Sequence, residues 1–374
     1  MSGQKLHFGS VRKLTSGSWQ ARYNDLDGRR RTADVKFESR ADALRWLART
    51  EEELRLDKWV DPDGGKVFLT TWATRWLNSR VGLKPNTIVN YDILLRNQIL
   101  PTFGRRQISR IRPIDVQEWV ARLEAGGLGA SRVRQATHLL GAILKAAVAE
   151  GMIAGNPCAS VRLPRLVHRE MAYFTAEEVE DLANAIRPPY GIFVHVLAYG
   201  GLRFGEAAAV RRNDCDLGRA RLRVDESLAD VKGQHVFGTT KTHQNRYVVL
   251  PPFLVDLLRD HLAEHVGQDH DALVFTSPQG QPLRNAHFTR RIWQRALRDA
   301  NIETAGLHAL RHTCATLLIA NGAPIKAVQA QLGHQSAELT LDRYGHLYPD
   351  QLDVLAVRLE EARTRAVDGR PRTT

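Results

Sequence analysis

Cysteine is scarce in this chain, with only Cys158, Cys215 and Cys314 among 374 residues. These residues lie far apart and form no CxxC pair, so no disulfide framework is expected and a reducing cytoplasm is favoured. Long apolar runs are also missing: no stretch approaches the ~20 residues of a membrane span. The N-terminus is polar and basic without an apolar segment, which excludes a secretory signal. The sequence therefore predicts a cytoplasmic protein, nucleoid-associated if it binds DNA, without a membrane partner.

Acidic residues are in deficit, with 41 against 53 basic residues and a net charge of +12. Such a balance favours a polyanionic partner, most often nucleic acid, although a basic enzyme acting on other substrates is an open alternative. The hydrophobic content of 43% is typical of globular proteins. The chain is too long for one ordinary domain, so about two or three are expected.

The first 60 residues have the pattern of a small α+β module. Residues 18–23 alternate between apolar and polar side chains, as a half-buried strand does. Val35 and Phe37 predict a following strand, and Ser39 can cap a helix. Residues 1–60 are therefore expected to form a domain of their own.

Three consecutive arginines, Arg29 to Arg31, follow the turn signal Asp27-Gly28 in this module. One reading is a solvated hairpin tip. The other is a loop or strand face that touches phosphates. The charge of the whole chain supports the second reading without deciding between them.

A linker is predicted at residues 61–65 by their Asp, Pro and Gly content, and residues 66–162 have a purely helical pattern. Pro85, Pro113 and Ser131 open helices in this segment, and Pro101 is expected to end one. The tryptophans are at core spacing and are interpreted as packing residues. The segment is expected to be a four-helix domain.

A mixed α/β domain is expected over residues 170–362, after a basic extended linker at 161–165. Thr175 and Glu178 form a capping box at the start of its first helix. Four strands are predicted there, at residues 219–224, 236–237, 246–250 and 273–275, with a polar hairpin between the second and third. Residues 363–374 are expected to be a disordered tail.

Residues 307–344 contain an unusual set of side chains. His308 and Arg311 are three apart at a helix start, so they share one face, and His334 and an apparently exposed Tyr344 follow. Taken singly, each has an ordinary structural explanation such as capping or packing. Together they could supply what phosphodiester chemistry needs: a nucleophile, a cation for the phosphate oxygens and proton carriers.

Further basic residues lie in two other motifs, one with an arginine in a Gly-flanked turn and one with a lysine in a polar hairpin. The motifs in chain order are YGGLRFGE with Arg203, KTHQNRYVVLP with Lys241, LHALRHTCATLLIANG with His308 and Arg311, and LGHQSAELTLDRYGHL with His334 and Tyr344. In this combination the sequence resembles the tyrosine recombinases of the phage-integrase kind, over nearly the whole chain. No motif position departs from the family pattern.

The resemblance implies a multidomain, mostly α protein. An arm-type DNA-binding module would occupy residues 1–60, a four-helix core-binding domain of the SAM-like kind residues 66–162, and a mixed α/β catalytic domain with a small antiparallel sheet residues 170–362. It implies a site-specific recombinase that integrates or excises a phage or another mobile element. The partners implied are double-stranded DNA attachment sites, bound as a clamp, and a homotetramer on paired sites. A need for a host bending protein or an excision factor is left open.

The resemblance also assigns roles. Tyr344 is the nucleophile and forms a 3′-phosphotyrosyl link. Arg203 and Arg311 hold the phosphate oxygens in bidentate fashion. His308 is the candidate base for the phenol, Lys241 the candidate acid for the leaving 5′ hydroxyl, and His334 a hydrogen-bond donor to the phosphate. No cofactor and no metal ion is expected, and no carboxylate cluster suggests a two-metal nuclease.

Alternatives stay open at several positions. Residues 323–334 also resemble a helix-turn-helix, so a DNA-binding regulator would explain the charge but not the joint motifs. A metal site formed by His308, His334 and His346 lacks a carboxylate or Cys ligand at ligand spacing. Tyr348 competes with Tyr344, and Lys232 lies near Lys241. The apolar residues after Tyr344 can pack on their own chain or on a neighbouring protomer: Leu352, Val354, Leu355, Val357 and Leu359.

Overall fold

The computed structural model describes residues 8–56, 58–166, 171–231, 233–239, 245–345, 356–357, 359–361 and 363–365. The chain forms two compact units, Met1–His168 and Arg169–Thr374. Helices predominate in both units, and the strands form only small antiparallel sheets. None of the helices in the described part has the length and apolar character that a membrane crossing requires.

A small antiparallel sheet and one helix begin the first unit. The elements are β1 (Ser10–Lys13), β2 (Trp19–Asn24), β3 (Arg30–Thr32) and α1 (Arg40–Arg55). β2 is central, and the predicted alternation holds because Ala21 and Tyr23 are buried against Ala43 and Leu47 of α1. The Ser39 side chain caps α1 by accepting a hydrogen bond from the Asp42 N–H.

The strand predicted at Val35 and Phe37 is wrong. The third strand is β3, which pairs with β2 immediately after the turn at Gly28, where φ is 75°. A tight turn places the residues directly after it opposite the preceding strand. Residues 30–32 therefore form the ladder with β2, and the ladder ends before residue 35. Phe37 forms only an isolated bridge with Trp19, and Val35 is 53% exposed.

Arg31 has a structural role that its position after a turn did not indicate. Its guanidinium lies 2.7 Å from Asp25 and 3.1 Å from Asp61, and it also pairs with Asp63. These contacts connect the sheet to the segment predicted as a linker, which instead contains a 3-10 turn, Gly64–Lys66. Only Arg29 and Arg30 remain exposed for the phosphate-contact reading.

The rest of the first unit is helical, as predicted. Its helices are α2 (Leu69–Asn78), α3 (Pro85–Leu94), α4 (Leu100–Phe103), α5 (Pro113–Ala125) and α6 (Ala130–Ala149). Trp72, Trp76 and Trp119 are at most 5% exposed, so their interpretation as packing residues is confirmed. Val161 and Leu163 of the predicted basic linker pack on this helical core.

Pro101 does not end a helix. A π turn, Leu95–Ile99, follows α3 and passes directly into α4, which carries Pro101 in its first turn. Proline has no N–H to donate, and its ring would clash with the carbonyl four residues earlier in a regular α-helix. The wider π turn removes that clash, so the chain stays helical.

Within the described residues of 171–345, the second unit combines nine α-helices with five short strands. The helices are α7 (Ala176–Ala185), α8 (Gly191–Gly200), α9 (Phe204–Ala207), α10 (Pro252–His265), α11 (Asn285–Phe288), α12 (Gln294–Asp299), α13 (His308–Ala320), α14 (Ile325–Leu332) and α15 (Ala337–Tyr344). The strands are β4 (Cys215–Asp216), β5 (Arg221–Val224), β6 (Glu226–Val231), β7 (Gln234–Thr239) and β8 (Arg246–Val249). The predicted capping box at Thr175 and Glu178 is present.

The strands form two separate sheets rather than the predicted hairpin of the 236–237 and 246–250 segments. β6 pairs with β7, whereas β8 pairs with β5 in the order β4-β5-β8. The predicted strand at residues 273–275 is absent there, where Leu273 makes only an isolated bridge. Residues 240–244 lie outside the described residues, and Lys241 with them.

Helix α8 is the centre of the second unit's core. It is apolar around most of its circumference, and it packs against α7, α10 and α13. Gly201 ends it with a φ of 68°, a left-handed conformation that favours glycine. The chain is thereby redirected at the point where Arg203 follows.

The end of the chain differs in part from the predicted disordered tail. Residues 363–365 are helical, as are the described residues among 356–361, whereas residues 366–374 lie outside the described part. Val357 and Leu359 are 60% and 70% exposed. The other apolar residues expected to pack on their own chain or on a neighbouring protomer, Leu352, Val354 and Leu355, are outside it too.

Candidate active site

Arg203 lies at the start of α9, where a neighbouring carboxylate holds it. Its Nη1 donates to Glu206 Oε1 at 2.6 Å, and its backbone N–H donates to Glu206 Oε2 at 3.0 Å. One carboxylate thus satisfies both the helix start and the guanidinium. The arginine side chain keeps 26% of its surface open, so its remaining N–H groups can reach a ligand.

Glu206 is the anionic centre of this group and was not predicted as a site residue. It is 1% exposed and also accepts a 2.7 Å hydrogen bond from Arg246 Nη2. Burial alone raises the pKa of this carboxyl, but the hydrogen bond from Arg246 and the charges of Arg246 and Arg203 outweigh it and lower the pKa to about 2. Its presence in the motif YGGLRFGE, three residues after Arg203, was the available signal.

Arg311 is buried, with 2% of its surface exposed, in the first turns of α13. Its Nη1 donates to the Gly201 carbonyl at 2.5 Å and its Nη2 to the Leu332 carbonyl at 2.7 Å. Burial and the nearby Arg203 lower the pKa of this guanidinium to about 9, so it is still a cation at neutral pH. The side chain therefore joins the ends of α8 and α14 and keeps further N–H donors for an anion.

His334 follows the end of α14, where Gly333 has a φ of 66°. It is 6% exposed, and its Nδ1 lies 2.8 Å from the buried Thr340 hydroxyl. Burial and the charges of Arg311 and Arg203 lower its pKa to about 3. The imidazole is therefore neutral at pH 7, and one of its nitrogens is held by Thr340.

Tyr344 is buried, so the expectation of an exposed phenol is wrong. It is 1% exposed at the end of α15, and its ring lies parallel to that of His334, with 6.4 Å between centroids. Its hydroxyl lies 2.6 Å from Nδ1 of His312. Burial raises the pKa of the phenol. The sequence could not indicate this burial because α15 is short and its other apolar residues, Leu339 and Leu341, are exposed.

His308 contacts the same group from the outer side. Its ring packs edge to face against the ring of His312, with 4.7 Å between the ring centroids. Part of its surface is open to solvent. Even so, burial of its ring atoms lowers the pKa of His308 to about 4, and the charges of His312 and Arg311 act in the same direction. His312, which was not among the predicted site residues, thus contacts both the ring of His308 and the phenol.

The described part of the chain brings five predicted residues into one cluster: Arg203, His308, Arg311, His334 and Tyr344. Lys241, Tyr348 and His346 lie outside the described residues, so the hairpin lysine, the competing phenol and the third ligand of the metal alternative are not placed. Within the described residues, no group of three or more His, Cys, Asp or Glu side chains could hold a metal ion.

Gly201→Ala is expected to destabilise the second unit by roughly 2–4 kcal/mol. A Cβ there would lie 2.7 Å from Leu332 Cδ2 and 2.8 Å from Cys314 Sγ, in a backbone conformation unfavourable for alanine. Urea unfolding measures the loss. The control is Gly280→Ala, at a φ of 72° with no described heavy atom within 4 Å, which isolates the backbone cost. Equal losses in both variants would contradict the packing argument.

Models of three protein families match the chain. They are the phage integrase N-terminal domain over residues 7–56, the phage integrase N-terminal SAM-like domain over residues 68–123, and the phage integrase family over residues 172–351. The putative prophage phiRv2 integrase of Mycobacterium tuberculosis is 32% identical over 355 residues, covering 92% of each chain. The integrase of Mycobacterium phage D29 is 28% identical, covering 91% of this chain and 93% of its own.

Solved structures share the fold at low sequence identity. The Tn1549 transposon integrase in complex with a circular intermediate DNA matches with a TM-score of 0.68 and 19% identity, covering 79% of this chain and 99% of its own. A lambda integrase tetramer bound to a Holliday junction matches with a TM-score of 0.60 and 19% identity, covering 89% and 97%. These structures show the fold alone. The family models and the 32% identity to the mycobacterial prophage integrase lead to one conclusion: the chain belongs to the phage integrase family and is a site-specific tyrosine recombinase.

Proposed function

We propose that Tyr344 cuts DNA by attacking a phosphodiester held in the cluster around Arg203 and Arg311, and that the strand is rejoined by reversal of this step. The observation that carries the proposal is the position of the phenol: it is buried within the same cluster as the two guanidinium groups and hydrogen-bonded to an imidazole. A nucleophile, cations and proton carriers lie together, which is the combination that phosphoryl transfer without a metal requires.

The two arginines would stabilise the negative charge that increases on the phosphate oxygens in the transition state. Glu206 holds Arg203, and two backbone carbonyls hold Arg311, so neither group has to be reorganised when DNA binds. Preorganised donors of this kind typically contribute about 3–4 kcal/mol each. His334, held through Nδ1 by Thr340, would donate its Nε2–H to a non-bridging oxygen.

Proton movements complete the reaction. Burial raises the pKa of Tyr344, so the phenol is protonated at pH 7 and needs a base. Lys241 would protonate the leaving 5′ oxygen. The 3′-phosphotyrosyl link conserves the energy of the broken bond, so a new 5′ hydroxyl can attack it without ATP.

The family matches support a proposed role for each domain. Residues 1–60 would bind arm-type sites through surfaces that include Arg29 and Arg30, residues 66–162 the core site, and residues 170–362 would perform the chemistry. Most of the affinity would come from phosphate contacts and would fall with added salt.

The exposed Val357 and Leu359 would dock on a neighbouring protomer within a homotetramer on paired sites. The protein would be associated with the nucleoid, and a host bending protein or an excision factor is a candidate further partner.

A nicked core site that traps the cleaved strand tests the proposed function. Incubated in EDTA, the protein is expected to form a covalent adduct with the DNA, since the guanidinium groups of Arg203 and Arg311 supply the positive charge that a metal would. Protease digestion followed by mass spectrometry should place the DNA on Tyr344. An adduct on Tyr348 would show that this residue, and not Tyr344, is the nucleophile. Activity that is lost in EDTA but restored by Mg²⁺ would contradict the metal-free mechanism.

A further inference from the structure

We infer that His312, and not His308, takes the proton of Tyr344 during strand cleavage and returns it during rejoining. The inference rests on the proposed role of Tyr344 as the nucleophile. It concerns a residue outside the six predicted site positions, Arg203, Lys241, His308, Arg311, His334 and Tyr344.

The contacts of the phenol support His312 directly. The 2.6 Å distance between the Tyr344 hydroxyl and His312 Nδ1 is that of a short hydrogen bond. His308 is one helical turn earlier on α13. Its ring packs against the imidazole of His312, with 4.7 Å between the ring centroids. A base must lie within hydrogen-bond distance of the proton that it removes. His312 meets this condition, whereas no hydrogen bond joins His308 to the phenol among the described residues.

Burial and the charges around His312 determine its protonation state in the resting protein. On its own helix it faces Arg311 and His308, and from α15 it faces Arg343 and the phenol itself. Burial, followed by the two arginines, lowers the pKa of His312 to about 4, while burial raises that of Tyr344. At pH 7 the imidazole is therefore neutral and the phenol protonated. In the Nε2–H tautomer of this imidazole, which the proposed role requires, the hydroxyl donates and Nδ1 accepts.

The proton balance of the step is complete with DNA as the only added reactant. The Tyr344 oxygen forms a bond to phosphorus, the phosphorus–O5′ bond breaks, and the phenolic proton moves to Nδ1 of His312. Lys241 supplies the proton for O5′. In the reverse direction a 5′ hydroxyl attacks and gives its proton back to the neutral amine of Lys241, the bond between phosphorus and the Tyr344 oxygen breaks, and His312 returns its proton to the departing phenolate.

The phosphodiester itself would assist this transfer. A proton would not leave the phenol for a free imidazole of such low pKa before the attack begins. An anion placed among the arginines favours the protonated imidazole and offsets their repulsion. Negative charge also increases on the phosphate as the new bond forms. The proton would therefore move during the attack, which protects the resting protein from an unproductive phenolate.

His312→Asn is the test, because Asn Oδ1 attaches to Cγ as Nδ1 does and can accept the hydrogen bond but not the proton. Adduct formation on the nicked site is expected to slow by about 10²- to 10⁴-fold, with affinity for the core DNA retained. The adduct rate of the wild-type protein should vary little with pH between 6 and 9. That of His312→Asn should rise about tenfold per pH unit, since hydroxide or a free phenolate must replace the base.

His308→Asn is the comparison. It is expected to lose less activity and to keep the flat pH profile. The reverse result, with the steep profile in His308→Asn and a wild-type profile in His312→Asn, would overturn the inference and return the role of base to His308. A slow adduct on Tyr344 in His312→Asn leaves the proposed function intact. An adduct on another residue in the wild-type protein would instead contradict the proposed function.

Discussion

Tyr344→Phe is expected to abolish the covalent protein–DNA adduct, with a loss of roughly 10⁴-fold or more in cleavage rate. The phenolic oxygen is the atom that bonds to phosphorus, and phenylalanine has no replacement for it. Affinity for the core site should remain within about twofold, because phosphate contacts elsewhere supply most of the binding energy. Gel electrophoresis under denaturing conditions measures the adduct, and a mobility-shift titration measures the affinity.

The fold should tolerate this change. The ring of Tyr344 packs in a small cluster with Cys314 and Val328, and phenylalanine preserves that packing. What is lost is the hydrogen bond to His312, worth about 1 kcal/mol. Tyr173→Phe, at a 50% exposed position in the same unit, is the matched control and should cleave normally. An adduct that persists in Tyr344→Phe would assign the nucleophile to another residue.

Glu206→Gln is expected to destabilise the second unit by about 3–5 kcal/mol, the usual cost of removing one member of a buried ion pair. The carboxylate is 1% exposed and compensates Arg203 and Arg246 together. Without this carboxylate, the charge of Arg246 would be left without its ion-pair partner. Its Nη1 is already buried and has no hydrogen-bond partner among the described residues. Urea unfolding of the full chain, followed by fluorescence and circular dichroism, measures the change.

The pH dependence of this loss gives an independent check. The pKa of Glu206 is about 2 in the folded protein, below the value of the free side chain near 4.5. Its contribution to stability is therefore full above about pH 4.5 and is lost as the pH falls towards 2. The difference between wild type and Glu206→Gln should be large at pH 7 and shrink below pH 4. A difference independent of pH would contradict the ion-pair explanation.

A surface pair provides the control for Glu206→Gln. Glu226 also pairs with an arginine, Arg211 at 3.3 Å, but its side chain is 41% exposed. Solvent screens such a pair, so Glu226→Gln should cost at most about 1 kcal/mol. Cleavage should also separate the two variants, because only Glu206→Gln releases Arg203 from its position.

The order of helices was predictable because its signals are local. Ser39 and the capping box at Thr175 act within one turn of chain, and Trp72 and Trp76 of α2 repeat at the helical period. The failures involved partners distant in sequence. Pro101 stays inside a helix because a π turn precedes it, and Arg31 is neutralised by Asp61 and Asp63, some thirty residues later.

By itself the sequence determined the kinds of chemical group that the candidate site contains and the family to which the chain belongs, since both are read from residue types at characteristic spacings. Only the tertiary structure decided which groups touch. Glu206 lies between Arg203 and Arg246, and the phenol of Tyr344 is buried against His312 instead of exposed. The physical reason is that hydrogen bonds and desolvation depend on distances between elements far apart in sequence, here the end of α8, the start of α13 and the end of α15.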